Sequence, residues 1–244
     1  MNGPNFAIIG DIHSQIEPLL QALTYCEENG KVPLLLGDLF DSRVEESYSA
    51  EVYREARAAT ERGAVILRSN HQNKLERYIR GNNVHLDTSI NKTLSDFKEA
   101  GIPLEEVGEW LNSFPYGVVF QDSRETEYRC AHAMFPRWLL VPPYEGVYYV
   151  EQVTRKAADY MLFGPRRPGS VWPQDETRVF WWEEESDRDW VRVAGHYHHV
   201  HVSEKSLVLD GGMGGSCLED SNPEEAHLCL WDVEEKSLVK IRHE

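Results

Sequence analysis

The sequence predicts an α/β fold, because residues 6–67 alternate apolar runs typical of strands with amphipathic stretches typical of helices. The apolar run at residues 6–10 is followed by apolar residues at helical spacing over residues 17–28, and the same order then repeats. A strand–helix–strand order implies parallel strands joined by helical crossovers. Functional loops in such a sheet lie at the carboxyl ends of the strands.

The same patterns predict each element along the chain. Strands are predicted at residues 6–10, 32–36, 64–67, 116–121, 128–131, 190–194, 206–209, 226–231 and 237–241, and the fourth and fifth of these form a hairpin. Helices are predicted at residues 17–28, 47–62, 73–79, 89–100, 104–112 and 150–162. Gly30 and Gly63 provide the stop signals after the first two helices.

Length and composition predict one domain over residues 1–244, because 244 residues with 41% hydrophobic content can bury a sizeable core and no linker or repeat interrupts them. The net charge of −16 argues against long nucleic acid as a default substrate. Four cysteines without Cys-x-x-Cys spacing, and no export signal, favour free thiols in the cytoplasm. No apolar run approaches the roughly 20 residues of a membrane span, so no membrane partner is expected.

Five short motifs carry chemistry, and each follows a predicted strand. They are Gly10-Asp11-Ile12-His13, Gly37-Asp38-Leu39-Phe40-Asp41, Asn70-His71, His132 and Gly195-His196-Tyr197-His198. Together they bring carboxylates, an amide and imidazoles to one edge of the fold. Two divalent ions about 3.5–4 Å apart can hold a phosphoryl group and lower the pKa of a bridging water. The motifs therefore predict a two-metal hydrolytic site.

One carboxylate must bridge the two ions to offset their repulsion, and Asp38 is the candidate. Imidazole and carboxylate donors without a thiolate suit several metals. We expect two divalent ions, with manganese first and iron, zinc, cobalt or nickel as alternatives. Each motif alone has a structural explanation, since Asp and Asn after a strand commonly cap helices or form turns. The ordered set of five favours the metal site.

In this order the motifs resemble the calcineurin-like metallophosphoesterase superfamily, and the resemblance extends from the start of the chain to about Gly215. It implies a four-layer α/β-β/α sandwich of two mixed sheets flanked by helices, with the last four strands in the second sheet. It also implies two ligand sets that share Asp38, namely Asp11, His13, Asp38 and His198 for one ion and Asp38, Asn70, His132 and His196 for the other. His71 would lie beside the leaving group as a general acid or clamp.

Further motifs are similar to those of small bacterial and phage phosphoprotein-phosphatase-type enzymes and of the phosphatase module of bacterial polynucleotide kinase-phosphatases. These are the stretch from Arg68 to Arg77, Thr93-Leu94 and Leu209-Asp210-Gly211-Gly212. The resemblance implies a serine/threonine-phosphatase-like phosphomonoesterase that uses a metal-bridging hydroxide. Its substrate would be a phosphorylated small molecule, a nucleotide or a phosphoprotein. Three alternatives stay open: a dinucleoside-polyphosphate or nucleotide hydrolase, an RNA-end phosphodiesterase, and a catalytically inactive interaction scaffold of the same fold.

The chain departs from the family pattern at the Asn-His motif and after the second Asp. Ser69 replaces the usual Gly and Gln72 the usual acid, so we expect Ser69 to have a negative φ. The Arg that usually follows the second Asp is displaced by one residue, which makes Arg43 the candidate phosphate ligand and transition-state stabiliser. Arg166 and Arg167 are further candidate substrate contacts. They lie in a predicted specificity insertion at residues 135–189.

Overall fold

The computed structural model describes residues 4–44, 47–165, 189–215 and 226–242. Its strands are β1 (Phe6–Ile9), β2 (Val32–Leu35), β3 (Val65–Ile66), β4 (Gly117–Gln121), β5 (Glu127–Ala131), β6 (Val147–Val150), β7 (Trp190–Ala194), β8 (Val200–Val202), β9 (Ser206–Leu209), β10 (His227–Asp232) and β11 (Ser237–Arg242). Its helices are α1 (Ile16–Glu28), α2 (Ser49–Glu61), α3 (Asn70–Ile79), α4 (Thr88–Glu99), α5 (Leu104–Asn112) and α6 (Arg155–Phe163).

The strands form two mixed sheets, which confirms the predicted α/β class. The first sheet has the order β11-β10-β1-β2-β3, and the second has the order β6-β4-β5-β7-β9-β8. In the first sheet β1, β2 and β3 are parallel, and β10 is antiparallel to β1. In the second sheet β5, β7 and β9 are parallel. Each sheet thus contains three adjacent parallel strands, and the functional loops follow these strands.

The two last strands join the first sheet, so the expectation that they extend the second sheet is wrong. Strand β10 pairs with β1 in the register Ile8 to Trp231, and β11 then pairs with β10. Side chains of β10 alternate between the two cores: Leu228 and Leu230 face the helices, whereas Cys229 and Trp231 face the other sheet. A strand buried on both faces has no polar face that would assign it to either sheet.

The core lies in layers on both sides of the first sheet. Alternate residues of β1 face opposite sides, as the pleat of a strand requires. Phe6 and Ile8 pack between the sheets, whereas Ala7 and Ile9 pack against helices α1 to α5. On the outer face of the second sheet, Val119 packs with Met161 of α6. The order helix, sheet, sheet, helix confirms the expected sandwich.

Most predicted elements are within two residues of the observed ones, and two helices differ more. The predicted helix 150–162 overlaps the end of β6, whose residues pair with β4, and α6 starts only at Arg155. Helix α3 begins at Asn70, three residues earlier than predicted, because Ser69 is its N-cap. Strands β6 and β8 were not predicted. Within the described ranges, no helix is long and apolar enough to cross a membrane.

Candidate metal centre

The loops after the parallel strands of both sheets meet at one edge of the sandwich. In the first sheet, Asp11 and His13 follow β1, Asp38 follows β2, and Asn70 follows β3. In the second sheet, His132 follows β5, His196 and His198 follow β7, and Asp210 follows β9. Six of these eight side chains are buried, from 0% exposed for His132 to 5% for His196, and Asn70 and His198 are half-buried. The carboxyl ends of parallel strands therefore build the site.

The backbone at this edge is strained. Of the eight non-glycine residues at positive φ in the described ranges, six belong to these loops: His13, Ser14, Asp38, Asp41, His196 and His198. Each such residue costs on the order of 1–3 kcal/mol and persists only where the surrounding structure imposes it. Gly195 is required for a different reason, because a Cβ there would overlap the Asp11 carboxylate. Strain and close approach concentrate where the polar side chains converge.

Two groups of side chains could each hold a metal ion, and they share Asp38. Asp11, His13 and Asp38 form one group, and Asp38, His132 and His196 form the other. Within each group the ligand atoms lie within 4.8 Å of one another. Asn70 Oδ1 lies 2.8 Å from His132 Nε2, which places it beside the second group. His198 is in neither group, and its Nδ1 lies 3.5 Å from Asp210 Oδ2.

Backbone carbonyls fix the rings of two histidines. His132 Nδ1 lies 3.1 Å from Leu36 O, and His13 Nδ1 lies 3.1 Å from Phe40 O. Because a carbonyl only accepts, each Nδ1 carries the proton and each Nε2 presents a lone pair to the site. Metal-binding histidines commonly donate their other ring N–H to a carbonyl in this way. Burial also lowers the pKa of His132, which favours the neutral ring that a metal requires.

Several buried side-chain atoms that could bind a metal have no hydrogen-bond partner among the described residues. Asp11 Oδ1, His13 Nε2 and Asp38 Oδ1 are buried there without a hydrogen-bond partner. An unsatisfied buried polar group costs roughly 1–3 kcal/mol, and more when it is charged. His132 Nε2 also faces Asn70 Oδ1 at 2.8 Å, so two acceptors point at each other unless a cation or proton lies between them. These donors fit divalent cations.

The carboxylates differ in their electrostatics. Burial, and then the negative charges of Asp210 and Asp38, raise the pKa of Asp11 well above its ordinary value. For Asp38 burial acts in the same direction, but the imidazoles of His132, His71 and His13 outweigh it and hold its pKa well below its ordinary value. His71 Nε2 and His132 Nε2 lie 3.9 Å and 3.5 Å from Asp38 Oδ2. A cation beside Asp11 would offset the carboxylate repulsion.

His71 forms a tight pair with Asp41 at the edge of the site. His71 Nδ1 lies 2.6 Å from Asp41 Oδ2, and Asp41 is only 2% exposed. Burial lowers the pKa of His71, but the negative charge of Asp38 and the hydrogen bond and charge of Asp41 outweigh it and raise the pKa to about 9. The metal-free site therefore favours a doubly protonated ring. The ring can hold a proton on Nε2, on the side that faces Asp38.

The two substituted positions around Asn70 have structural roles. Ser69 has φ −119°, which confirms that Ser is tolerated there because the backbone stays in the extended region. Its side chain caps α3 by accepting from Gln72 N–H. Gln72 Oε1 accepts from the backbone N–H of Asp38 at 2.9 Å. Both residues thus hold the Asn-His motif against the loop that carries Asp38.

Of the three candidate arginines, only Arg43 lies among the described residues. Arg43 is exposed, and its backbone N–H donates to Gly214 O at 2.8 Å, which holds its loop beside the turn at Met213–Gly215. The same turn packs on His13, because a Cβ at Gly214 would lie 2.5 Å from His13 Cβ. Arg166, Arg167 and most of the second half of the predicted insertion lie outside the described residues.

Two carboxylates in the site were not among the predicted site residues. Asp41 belongs to the Gly37-Asp38-x-x-Asp41 motif, and its contact with His71 joins residues 30 apart in sequence. Asp210 is fully buried, and its Oδ2 accepts from the backbone N–H of His198 at 2.6 Å. The signal for Asp210 was the run Leu209-Asp210-Gly211-Gly212 directly after a strand. Neither partner of these contacts could be read from sequence spacing.

A buried set of carboxylates and imidazoles at one edge of an α/β sandwich is typical of metal-dependent hydrolases. The sequence profile of the calcineurin-like phosphoesterase family matches residues 4–222. Because this match spans most of the 244 residues, the chain belongs to the calcineurin-like phosphoesterase family. The resemblance carried by the ordered motifs is thereby confirmed.

Two known proteins are similar to this chain. A bis(5'-nucleosyl)-tetraphosphatase of the asymmetrical type, PrpE from Bacillus subtilis (strain 168), is 35% identical over 105 residues. That match covers 38% of this chain and 42% of the relative, so it spans less than half of either. A solved structure provisionally described as a diadenosine tetraphosphatase covers 99% of this chain and 94% of its own, with a TM-score of 0.59 and 16% identity. At that identity the likeness shows the fold.

Proposed function

We propose that this protein is a dinuclear metal-dependent phosphohydrolase. The observation that carries the proposal is Asp38, which belongs to both groups of candidate ligands and therefore suits a bridging role. The first ion would be held by Asp11, His13, Asp38 and His198, and the second by Asp38, Asn70, His132 and His196. In this arrangement Asp210 holds the loop of His198, and the carbonyls of Phe40 and Leu36 orient His13 and His132.

Two bound ions would supply charge for the phosphoryl oxygens and a lowered pKa for an attacking water. The donor set contains no thiolate and suits manganese, iron, zinc, cobalt or nickel, and manganese remains the first expectation. The neutral imidazoles and the Asn70 amide add no negative charge that would repel an anionic substrate. The chain's own part is to hold these donors in place within a buried, strained set of loops.

His71 would protonate the leaving oxygen. Asp41 accepts the Nδ1–H of the ring, so the second proton of the imidazolium lies on Nε2. Transfer of that proton to the leaving oxygen leaves a neutral ring that still donates its Nδ1–H to Asp41. Positioned acids of this kind contribute roughly 10²–10⁴-fold to rate. Bound cations at Asp38 would remove part of the charge that raises the pKa of His71, which brings its acid function closer to neutral pH.

Arg43 would bind the phosphate at the mouth of the site. Its loop is fixed by the hydrogen bond to Gly214 O, and the same turn contacts the His13 loop. An exposed guanidinium there can pair with a phosphate oxygen in a bidentate manner. Arg166 and Arg167 remain candidates for the same role.

The substrate is proposed to be a phosphomonoester or a dinucleoside polyphosphate. A phosphatase-like monoesterase follows from the motifs around Asn70. The relative named as a bis(5'-nucleosyl)-tetraphosphatase favours the second class. Hydrolysis of either class produces a leaving group whose oxygen His71 could protonate, so the same proton transfer applies to both. An RNA-end phosphodiesterase receives no separate support from the described residues.

One assay distinguishes these proposals from an inactive scaffold. Purified protein is incubated with Mn²⁺ and p-nitrophenyl phosphate, bis(p-nitrophenyl) phosphate or diadenosine tetraphosphate, with and without chelator. The expected result is turnover that the chelator abolishes and that Asp38→Asn lacks, whereas the exposed Glu105→Gln control keeps it. The relative rates then assign the substrate class. A folded protein that binds no metal and hydrolyses none of the three substrates would support the scaffold.

A further inference from the structure

A buried threonine outside the metal groups contacts the carboxylate that holds His71. Thr93 lies on α4, is 0% exposed, and places its Oγ1 3.1 Å from Asp41 Oδ1. The other oxygen of the same carboxylate lies 2.6 Å from His71 Nδ1. Asp41 thus has one oxygen on the threonine hydroxyl and one on the imidazole.

The carboxylate sets the direction of this hydrogen bond. The Thr93 hydroxyl has two acceptors, Asp41 Oδ1 at 3.1 Å and the backbone oxygen of Ser89 at 3.3 Å. The carboxylate oxygen is the nearer and the stronger acceptor, so we assign the single hydroxyl proton of Thr93 to Asp41 Oδ1. Thr93 Oγ1 is then an acceptor for the Asp41 backbone N–H at 3.3 Å and for Ser49 Oγ at 3.2 Å. Thr93 therefore contacts both the backbone and the side chain of Asp41.

Two more buried hydroxyls extend the same chain of hydrogen bonds. Since Ser49 donates to Thr93, it accepts from Ser14 Oγ, which lies 2.9 Å away. Ser14 and Ser49 are both 0% exposed. All protons then point one way, from Ser14 through Ser49 and Thr93 to Asp41. Chains of this kind polarise one another and fix a single arrangement when every member is satisfied.

Asp41 needs such support, because its local backbone does not favour the observed conformation. Its φ of 73° lies in the left-handed region, which is uncommon for residues other than glycine. The carboxylate is almost fully buried and so depends on protein partners rather than water. Helix α4 is also tied to the start of α2, since Asp96 Oδ2 accepts from Ser47 Oγ and from Ser49 N–H.

We propose that Thr93 is a positioning residue that holds the Asp41 carboxylate, and through it the His71 ring, in the orientation needed for proton donation. Ser49 supports Thr93 in this role. The inference rests on the proposed role of His71 as a general acid and adds a residue that lies outside the metal groups and outside the motifs that carry the candidate ligands.

The test compares leaving groups. Thr93→Val keeps the shape of the side chain and removes the hydroxyl, and Thr93→Ser keeps the hydroxyl. We expect Thr93→Val to lower kcat about 10-fold for phenyl phosphate, whose leaving group needs a proton, and less than about 3-fold for p-nitrophenyl phosphate. KM and metal content should stay within about 2-fold. Thr93→Ser should restore most of the loss, and Thr88→Val, an exposed change on the same helix, should have no effect.

A double-mutant cycle separates positioning from general damage. In a His71→Asn background, Thr93→Val should cause no further loss with either substrate, because the group it positions is gone. A second readout uses metal-free protein. The downfield proton resonance expected for the short His71 Nδ1–H···Asp41 bond should persist in Thr93→Ser and should shift or vanish in Thr93→Val. Should Thr93→Val not fold, Ser49→Ala provides the same comparison, with an expected loss of about 2–3-fold for phenyl phosphate.

Two distinct results would count against these ideas. Equal losses for both substrates, repeated in the His71→Asn background, would overturn the positioning role and make Thr93 a structural residue. If His71→Asn itself lowers kcat equally for both substrates, the proposed acid function of His71 is wrong, and the inference about Thr93 fails with it.

Discussion

In the first sheet the residues that follow the parallel strands β1, β2 and β3 offer mainly oxygen atoms as possible metal ligands. In the second sheet the residues that follow β5 and β7 offer imidazoles. Asp11, Asp38 and Asn70 follow consecutive strands that are joined by single helical crossovers, so they are close in sequence. His132, His196 and Asp210 are spread over a longer part of the chain. Asp38 is the residue at which both sets meet. The first sheet thus places mainly carboxylate and amide oxygens at the site, and the second places imidazoles and the buried carboxylate of Asp210 there.

The largest effect is expected at the residue shared by both sets. Asp38→Asn removes the charge at the junction and should lower turnover by about 1000-fold or more, since metal ions supply several kcal/mol of transition-state stabilisation. Metal content should fall for both ions together. Elemental analysis and a Mn²⁺-dependent phosphatase assay measure this, with Glu105→Gln as the control. Full metal content with normal turnover would show that Asp38 does not link the two sets.

The negative charges of Asp38 and Asp41, on the loop after β2, also predict that the stability of the metal-free protein depends on pH. The pKa of His71 is raised to about 9, above its ordinary value of 6.5, so folding favours its protonated form. This stabilisation is complete below pH 6.5 and is lost as the pH rises through 9. Relative to His71→Asn, the free energy of unfolding of the wild type should fall by on the order of 3 kcal/mol across that range.

Urea unfolding in the presence of chelator, at several pH values from 6 to 9.5, checks the prediction. Titrating groups that do not interact with His71 behave alike in both proteins and cancel in the difference, and Asp38, whose pKa lies far below this range, stays ionised throughout. Parallel stability curves would show that Asp38 and Asp41 do not stabilise the protonated ring.

A third prediction tests whether His71 acts in chemistry rather than in metal binding. His71→Asn should keep both ions and lower kcat for phenyl phosphate by about 100-fold, because a positioned acid contributes roughly 10²–10⁴-fold. The loss for p-nitrophenyl phosphate should be smaller. If the variant instead loses metal, His71 belongs with the ligands and the comparison between the sets must be redrawn.

The smallest of these effects is expected on the side of the second sheet. Asp210→Asn weakens the contacts of this side chain with the backbone N–H and the ring of His198. Loss of an orienting partner of this kind typically lowers metal affinity by 10–100-fold. We expect a loss of about 10-fold in Mn²⁺ affinity for one ion, with the other unchanged. Isothermal titration calorimetry with Mn²⁺ resolves the two affinities. Equal loss at both ions would mean that Asp210 acts on the whole site.

The sequence allowed the local features of this comparison to be predicted, because they depend on short-range patterns. The apolar runs and helical spacing gave the strands and helices of the first sheet, and the motifs after them gave Asp11, Asp38 and Asn70. The placement of β10 and β11 was wrong, because β10 buries both faces and pairs with β1, which lies at the opposite end of the chain. The partners of Asp41 and Asp210 depend on contacts between distant segments, which spacing does not encode.

The most direct test of a single centre built by both sheets is electron paramagnetic resonance during Mn²⁺ titration of the metal-free protein. Two ions about 3.5–4 Å apart are magnetically coupled, so the expected result is two ions per chain with a coupled signal that Asp38→Asn abolishes. One ion per chain, or two ions without coupling, would contradict the claim that Asp38 joins the two sets of ligands into one centre.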